Sequence, residues 1–172
     1  MKKQYVLLLL VIIGLQACNK SPLVIRLSQE KLQKAMDKKF PYKKSALVAK
    51  IELTNPKLTI KDDKLFIDVL FNGYALTKSI KGEVNVSGKV AYKQEKKAFY
   101  MKDFHIHKVD IENIEGSKKD QIVGLLEKAV ATYMASFPVY KLNKAKYKQN
   151  LARMLLQDVK TEGNQLVVTL GF

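Results

Sequence analysis

The sequence predicts an α+β fold: a strongly curved antiparallel sheet wrapped around a long helix in the C-terminal half, with a further helix at the N-terminal side. Three observations carry this expectation. Between residues 46 and 111 apolar and polar side chains alternate in four stretches parted by short polar turns, the pattern of an antiparallel meander. The alternation slips phase along the way, and such slips supply the bulges that a curved sheet needs. From Lys118 to Ala135 the period becomes helical, with an apolar stripe wide enough to imply burial over much of the helix circumference.

The elements follow in order. In "VIRLSQEKLQKAMDKKFPYKK", Ser28 is a good N-cap and Glu30 places a negative charge in the first turn, where the helix dipole favours it. Leu32, Ala35, Met36 and Phe40 recur at helical spacing, and Pro41 ends the run. In "ALVAKIELTNPKLTI" the apolar positions are Leu47, Ala49, Ile51 and Leu53, then Leu58 and Ile60 in the opposite phase. One extra residue flips the faces, which predicts a bulge near Asn55 and Pro56. After the "KDDK" turn, Leu65, Ile67, Val69 and Phe71 share a face, while Phe66 and Leu70 make the other face apolar too. "IKGEVNVSGKVAYK" places Ile80, Val84, Val86, Val90 and Tyr92 on one face with Gly82 and Gly88, whose missing side chains leave room for a bend or a close neighbour. "AFYMKDFHIHKVDI" is the fourth strand.

In the long helix Ile122, Leu126, Ala129, Val130, Tyr133 and Phe137 form the stripe, widened by Val123, Leu125 and Met134. "FPVYKLN" is extended. Asn143 is placed to cap a shorter helix over about 144–156 carrying Leu151, Met154 and Leu155, and a strand through Leu166, Val168, Leu170 and Phe172 follows the "EGN" turn. The expected order is helix, four strands, long helix, short helix, strand.

Ahead of all this stand two lysines and an apolar run from Tyr5 to Leu15, the layout of a secretory signal and too short for a comfortable membrane span of roughly 20 residues. Its exit, Leu15-Gln16-Ala17-Cys18, resembles the bacterial lipobox and contains the only cysteine of the chain. That resemblance implies cleavage before Cys18, acylation of its thiol and new amine, and a membrane anchor. Asn19 in the next position implies the outer membrane, facing the periplasm, rather than the inner. The expected organisation is a signal peptide over 1–17, a lipidated tether over 18–22 and a single α+β domain over 23–172.

Loss of Lys2 and Lys3 with the signal lowers the formal charge from +15 to +13. Acylation would take up the one thiol, so stability must come from packing. The basic balance does not point to nucleic acid: lysines are spread over the whole length, and Arg26 is the only arginine before residue 150, whereas specific nucleic-acid sites favour arginine. Anionic envelope surfaces are the better-suited partners.

No catalytic motif emerges. The chain lacks a nucleophile elbow and a phosphate-cradling glycine loop. His105 and His107 share a strand face with Asp103, but no further histidine or cysteine completes a metal site, so no metal or cofactor is expected. Asp62, Asp63, Asp110, Glu112 and Glu115 read as solvated turn and strand-end charges. What remains is apolar surface in excess of one simple face. The reading is a non-enzymatic protein whose sheet and long helix enclose a groove for a lipid or other hydrophobic ligand. Its lining would come from Ile51, Leu53, Ile67, Val69, Val84 and Val86 on the sheet and from Ile122, Leu126, Val130 and Tyr133 on the helix. The alternative is a basic adaptor that contacts an envelope protein or an anionic envelope polymer.

The lipobox, the helix ending "KKFPYKK", the "NPKL" strand, the long helix running into "FPVYKLN" and the terminal "NQLVVTLGF" together resemble the YceB-like bacterial envelope lipoproteins. The resemblance implies a fold similar to a single tubular lipid-binding (TULIP) module, a curved sheet around a long helix, and with it the binding of an apolar molecule. It supplies no catalytic residue; only Cys18 carries over.

Overall fold

The computed structural model describes residues 22–46, 49–75, 78–112 and 117–171. The expected signal segment, Cys18 and nearly all of the expected tether lie outside the described residues, as do Leu47, Glu115 and Phe172.

Nine strands and three helices are present among the described residues, and strand residues outnumber helical ones about two to one. Six strands form one antiparallel sheet in which spatial order follows sequence order: β2 (Tyr42–Ala46), β3 (Ala49–Lys61), β4 (Lys64–Ala75), β5 (Lys78–Lys93), β6 (Ala98–Ile111) and β7 (Pro138–Lys141). This sheet curls into a half-barrel. A smaller antiparallel sheet has the order β1 (Leu23–Ser28), β9 (Gln165–Leu170), β8 (Leu156–Glu162). The helices are α1 (Gln29–Asp37), α2 (Ser117–Ser136) and α3 (Tyr147–Leu155).

The expected fold class is overturned. The protein is mainly β, and the sheet does not wrap around a long helix, so the tubular arrangement implied by the resemblance is not built. α2 packs chiefly along β6, near the β7 margin of the sheet. Among its described side chains, Leu126, Val130, Tyr133 and Met134 are buried on one face, while Glu127, Lys128, Thr132, Ala135 and Ser136 are exposed. The apolar interior is covered in pieces: α1 lies against β3 and β7, α2 against β6, and β8 against β5. Three strands were not foreseen. The stretch forming β1, ahead of the Ser28 cap, was assigned to no element, β2 is short and lysine-rich, and β8 turns only Leu156, Val159 and Thr161 inward.

The bulge is where the phase slip put it. The β3–β4 register shifts between Thr54 and Lys57, and Asn55 has a φ of 49°. Leu53 is buried before it and Leu58 and Ile60 after it, so both phases serve one core. Beyond the bulge β3 extends past its partner β2, leaving backbone donors that a sheet edge cannot leave unpaired in the interior. α1 supplies the acceptors. Gln33 Oε1 accepts from Leu58 N at 2.7 Å and Gln29 Oε1 from Ile60 N at 2.9 Å, while Gln33 Nε2 donates to Pro56 O at 2.6 Å. The i, i+4 spacing of these glutamines puts both on one side of α1, where they stand in for a neighbouring strand. Ser28 caps the helix as expected, its hydroxyl accepting from Lys31 N at 3.4 Å.

The in-facing glycines are places of close approach. A Cβ on Gly82 would lie 1.8 Å from Asp110 O and 2.7 Å from Phe71 Cζ, and one on Gly88 would lie 2.5 Å from Met101 Cγ. α3 begins later than expected, at Tyr147, with Lys146 as an N-cap that makes no side-chain bond. Asn143 instead closes a turn ahead of it, its Oδ1 accepting from Ala145 N at 2.8 Å.

Candidate functional site

The predicted groove residues divide into two groups. Leu53, Ile67, Val69, Val84, Val86, Leu126, Val130 and Tyr133 are buried in one continuous core, with Ile51 packed half-buried at its side. The side chain of Ile122 lies outside the described residues. Only Ile67 and Tyr133 of this set line a common void. It lies where α1, α2, β4, β6 and β7 converge, and its other walls are Met36, Phe40, Met101, Met134, Phe137 and Val139. The void measures about 10 Å³, at or below what one water molecule needs. In this conformation the interior is filled by its own side chains.

Two features distinguish this spot from ordinary core. Three of the five methionines in the chain, Met36, Met101 and Met134, meet there. Methionine is unbranched and polarizable, and refills a changed space at low cost. The second feature is the Tyr133 hydroxyl, which is buried and has no hydrogen-bond partner. Burial pushes its pKa far up, and the neighbouring Tyr42 adds to the shift.

An aromatic cluster closes the void toward solvent. The Tyr133 ring lies 4.3 Å from Tyr42, 4.6 Å from Phe137 and 6.3 Å from Phe40, and outside it is a shallow depression of about 260 Å³ lined by Tyr42, Thr132, Tyr133, Ser136 and Phe137. Lys39 stands at this rim. Its Nζ sits 4.6 Å over the Phe137 ring, a cation–π distance, and donates to Pro138 O at 2.7 Å. Burial lowers its pKa, and the charge of Lys141 lowers it further.

The histidine strand serves other ends. His107 Nε2 is 2.6 Å from the buried Ser87 hydroxyl and its ring stacks on Phe66 at 5.8 Å. His105 is exposed, and Asp103 occupies the second β5–β6 irregularity with a φ of 48°. Among the described residues no group of three or more His, Cys, Asp or Glu side chains is placed to hold a metal ion. Among them, too, no helix is long and apolar enough to cross a membrane.

Residues 27–165 match a protein family described as "Protein of unknown function (DUF1439)". The chain belongs to the DUF1439 family. The matched span of this DUF1439 domain runs from the end of β1 to the start of β9, and so takes in the whole six-stranded sheet, all three helices and every residue lining the methionine void. Among curated proteins none matches the chain.

Apart from Ile67 and Tyr133, the void residues were not read as lining at the sequence level, because the set is drawn from α1, β4, β6, α2 and β7 and no periodicity within one element unites it. A signal was present: Met36 and Met134 both fall on the apolar stripes read for the two helices that close over the void.

Proposed function

We propose that this protein is a YceB-like lipoprotein of the bacterial envelope, anchored through acylated Cys18, whose interior opens to hold a lipid or another hydrophobic ligand. The supporting observation is the orphaned Tyr133 hydroxyl beside a void walled by three methionines. A buried hydroxyl without a partner costs about 1–3 kcal/mol, which a ligand supplying the partner would recover. A ligand carrying a polar group between an acyl chain and its head would give that hydroxyl its partner. The methionines would swing aside for the chain, and Lys39 at the rim, with the charge of Lys141 acting on it, suits an anionic head.

The test is lipid retention. The protein is purified from bacterial membranes in its processed form and examined by native mass spectrometry, and fluorescent fatty acids and phospholipids are titrated against it. A co-purifying lipid, or binding at micromolar levels that Met134→Trp abolishes by filling the void, is the expected result. Absence of both overturns the ligand reading. The basic adaptor, which draws on the net charge, would then be left, and salt-sensitive capture of an envelope protein or anionic polymer is its own signature.

A further inference from the structure

α3 carries an apolar stripe that faces away from the core. Gln149 and Ala152 are its buried positions, and the opposite side presents Tyr147 at 77% exposure and Met154 at 68%. These two residues are seven apart and therefore stacked on one face, with Leu151 and Leu155 half-buried beside them. Among the exposed large hydrophobic side chains of the described residues, these two are the most exposed. The helix is firmly held underneath. Gln149 donates to the Tyr140 hydroxyl at 2.9 Å and accepts from Asn143 N at 2.8 Å, Lys97 Nζ donates to Arg153 O at 2.9 Å, and Gly171 N donates to Leu155 O at 2.9 Å.

The charge along this segment of the chain has one sign. From Lys141 to Gln157 the chain contains Lys141, Lys144, Lys146, Lys148 and Arg153 and no acidic residue; the first acid is Asp158 on β8. Lys144, Lys146 and Lys148 are all exposed. An exposed aromatic residue and a methionine on a short helix, with Lys148 in its first turn and Lys144 and Lys146 just ahead of it, match the requirements of an anionic bilayer surface, where the apolar side chains enter the headgroup region and the ammonium groups meet phosphates.

The position of the N-terminus gives the same direction. Leu23, Leu170 and Leu156 are paired side by side across the small sheet, and α3 ends one residue before Leu156. Two strand spacings are about 10 Å. Five residue steps separate Cys18 from Leu23, a reach of at most about 18 Å. A lipid on Cys18 would therefore bring this end of the domain, and α3 with it, against the membrane.

We infer that the outer face of α3, with Tyr147 and Met154 as apolar anchors and Lys144, Lys146 and Lys148 as headgroup contacts, docks the domain on an anionic phospholipid surface. The orientation argument rests on the acylation reading of Cys18; the stripe and its charge do not. The chain has no tryptophan, so Tyr147→Trp introduces a single reporter at an exposed site. The full chain as purified from membranes is mixed with vesicles of phosphatidylcholine alone or with added phosphatidylglycerol. The expected result is a blue-shifted emission, quenched by brominated lipid, in the anionic vesicles only. High salt or Lys144→Glu/Lys146→Glu/Lys148→Glu should abolish it. A reporter at Tyr74, 60% exposed on β4, should stay water-exposed throughout. An unshifted α3 reporter in every vesicle overturns the inference, as does an equal shift in neutral and anionic ones; capture of a protein on this face without any lipid response would do the same. Flotation with neutral vesicles reads the anchor separately, so loss of flotation with the anionic shift intact would count against acylation alone.

Discussion

Tyr133→Phe removes one oxygen and keeps every ring contact, which makes it a clean probe of the closed interior. The ring stays packed 4.3 Å from Tyr42 and 4.6 Å from Phe137. The lost hydroxyl has no partner to leave behind, and the adjoining void of about 10 Å³ scarcely admits a water. The change should therefore stabilise the ligand-free protein by about 1–3 kcal/mol, the usual cost of an unsatisfied buried hydroxyl. At roughly 3 °C per kcal/mol for a domain of this size, the melting temperature should rise by about 3–9 °C. Urea unfolding followed by circular dichroism measures it, with an unchanged denaturant slope as the sign that the effect lies in the native state. Alkaline pH gives an independent reading. The folded pKa of Tyr133 is raised above its ordinary 10.0 because burial penalises the phenolate. The unfolded chain then loses its proton first, so wild-type stability is intact below pH 10 and falls as pH rises toward the folded value. Tyr133→Phe lacks this loss, and its advantage should grow above that pH by at most about 1.4 kcal/mol per unit. A destabilised variant, or alkaline curves that run parallel, would refute the orphaned-hydroxyl reasoning.

Other outcomes follow from close approaches and from the N-terminal segment. Gly82→Ala should destabilise by several kcal/mol, of order 3 or more, because its Cβ meets the Asp110 carbonyl at 1.8 Å and backbone, unlike a side-chain tip, cannot swing away. Gly124→Ala, on α2 with nothing within 4 Å of the added carbon, should instead stabilise by about 1 kcal/mol through helix propensity, and denaturant melts of the pair compare the two directly. Cys18→Ala should leave unprocessed precursor in the inner membrane, visible as a slower gel band on fractionation; normal maturation of that variant would overturn the lipobox reading.

Much of the large sheet was legible because strand alternation is a local signal. The phase flip from Leu53 to Leu58 marked the bulge, and Gly82 and Gly88 marked places where a neighbour presses in. β1 carried the same signal, since Leu23, Ile25 and Leu27 alternate, but "VIRLS" is short and runs without a break into the Ser28 cap of α1, and it was assigned to no element. β2 and β8 had less to read: a strand held by its pairing with a longer neighbour needs few apolar residues of its own. The fold class failed on α2. Among the described side chains of α2, the buried ones, Leu126, Val130, Tyr133 and Met134, span an arc of roughly 100° on a helical projection, the width expected of a helix lying on a surface rather than enclosed by one.

That difference changes where a ligand would go. A helix wrapped by a sheet would offer a long groove along its axis, lined by the whole set from Ile51 to Tyr133. A helix laid on one margin leaves those residues as ordinary core and concentrates the adaptable side chains at a single convergence. Met36, Met101 and Met134 are brought together there only by the closing of α1 and α2 over the sheet. Of the helix positions read as groove lining, Tyr133 alone both lines that convergence and carries an unmet hydrogen bond, so the hydroxyl is where a ligand would be felt first.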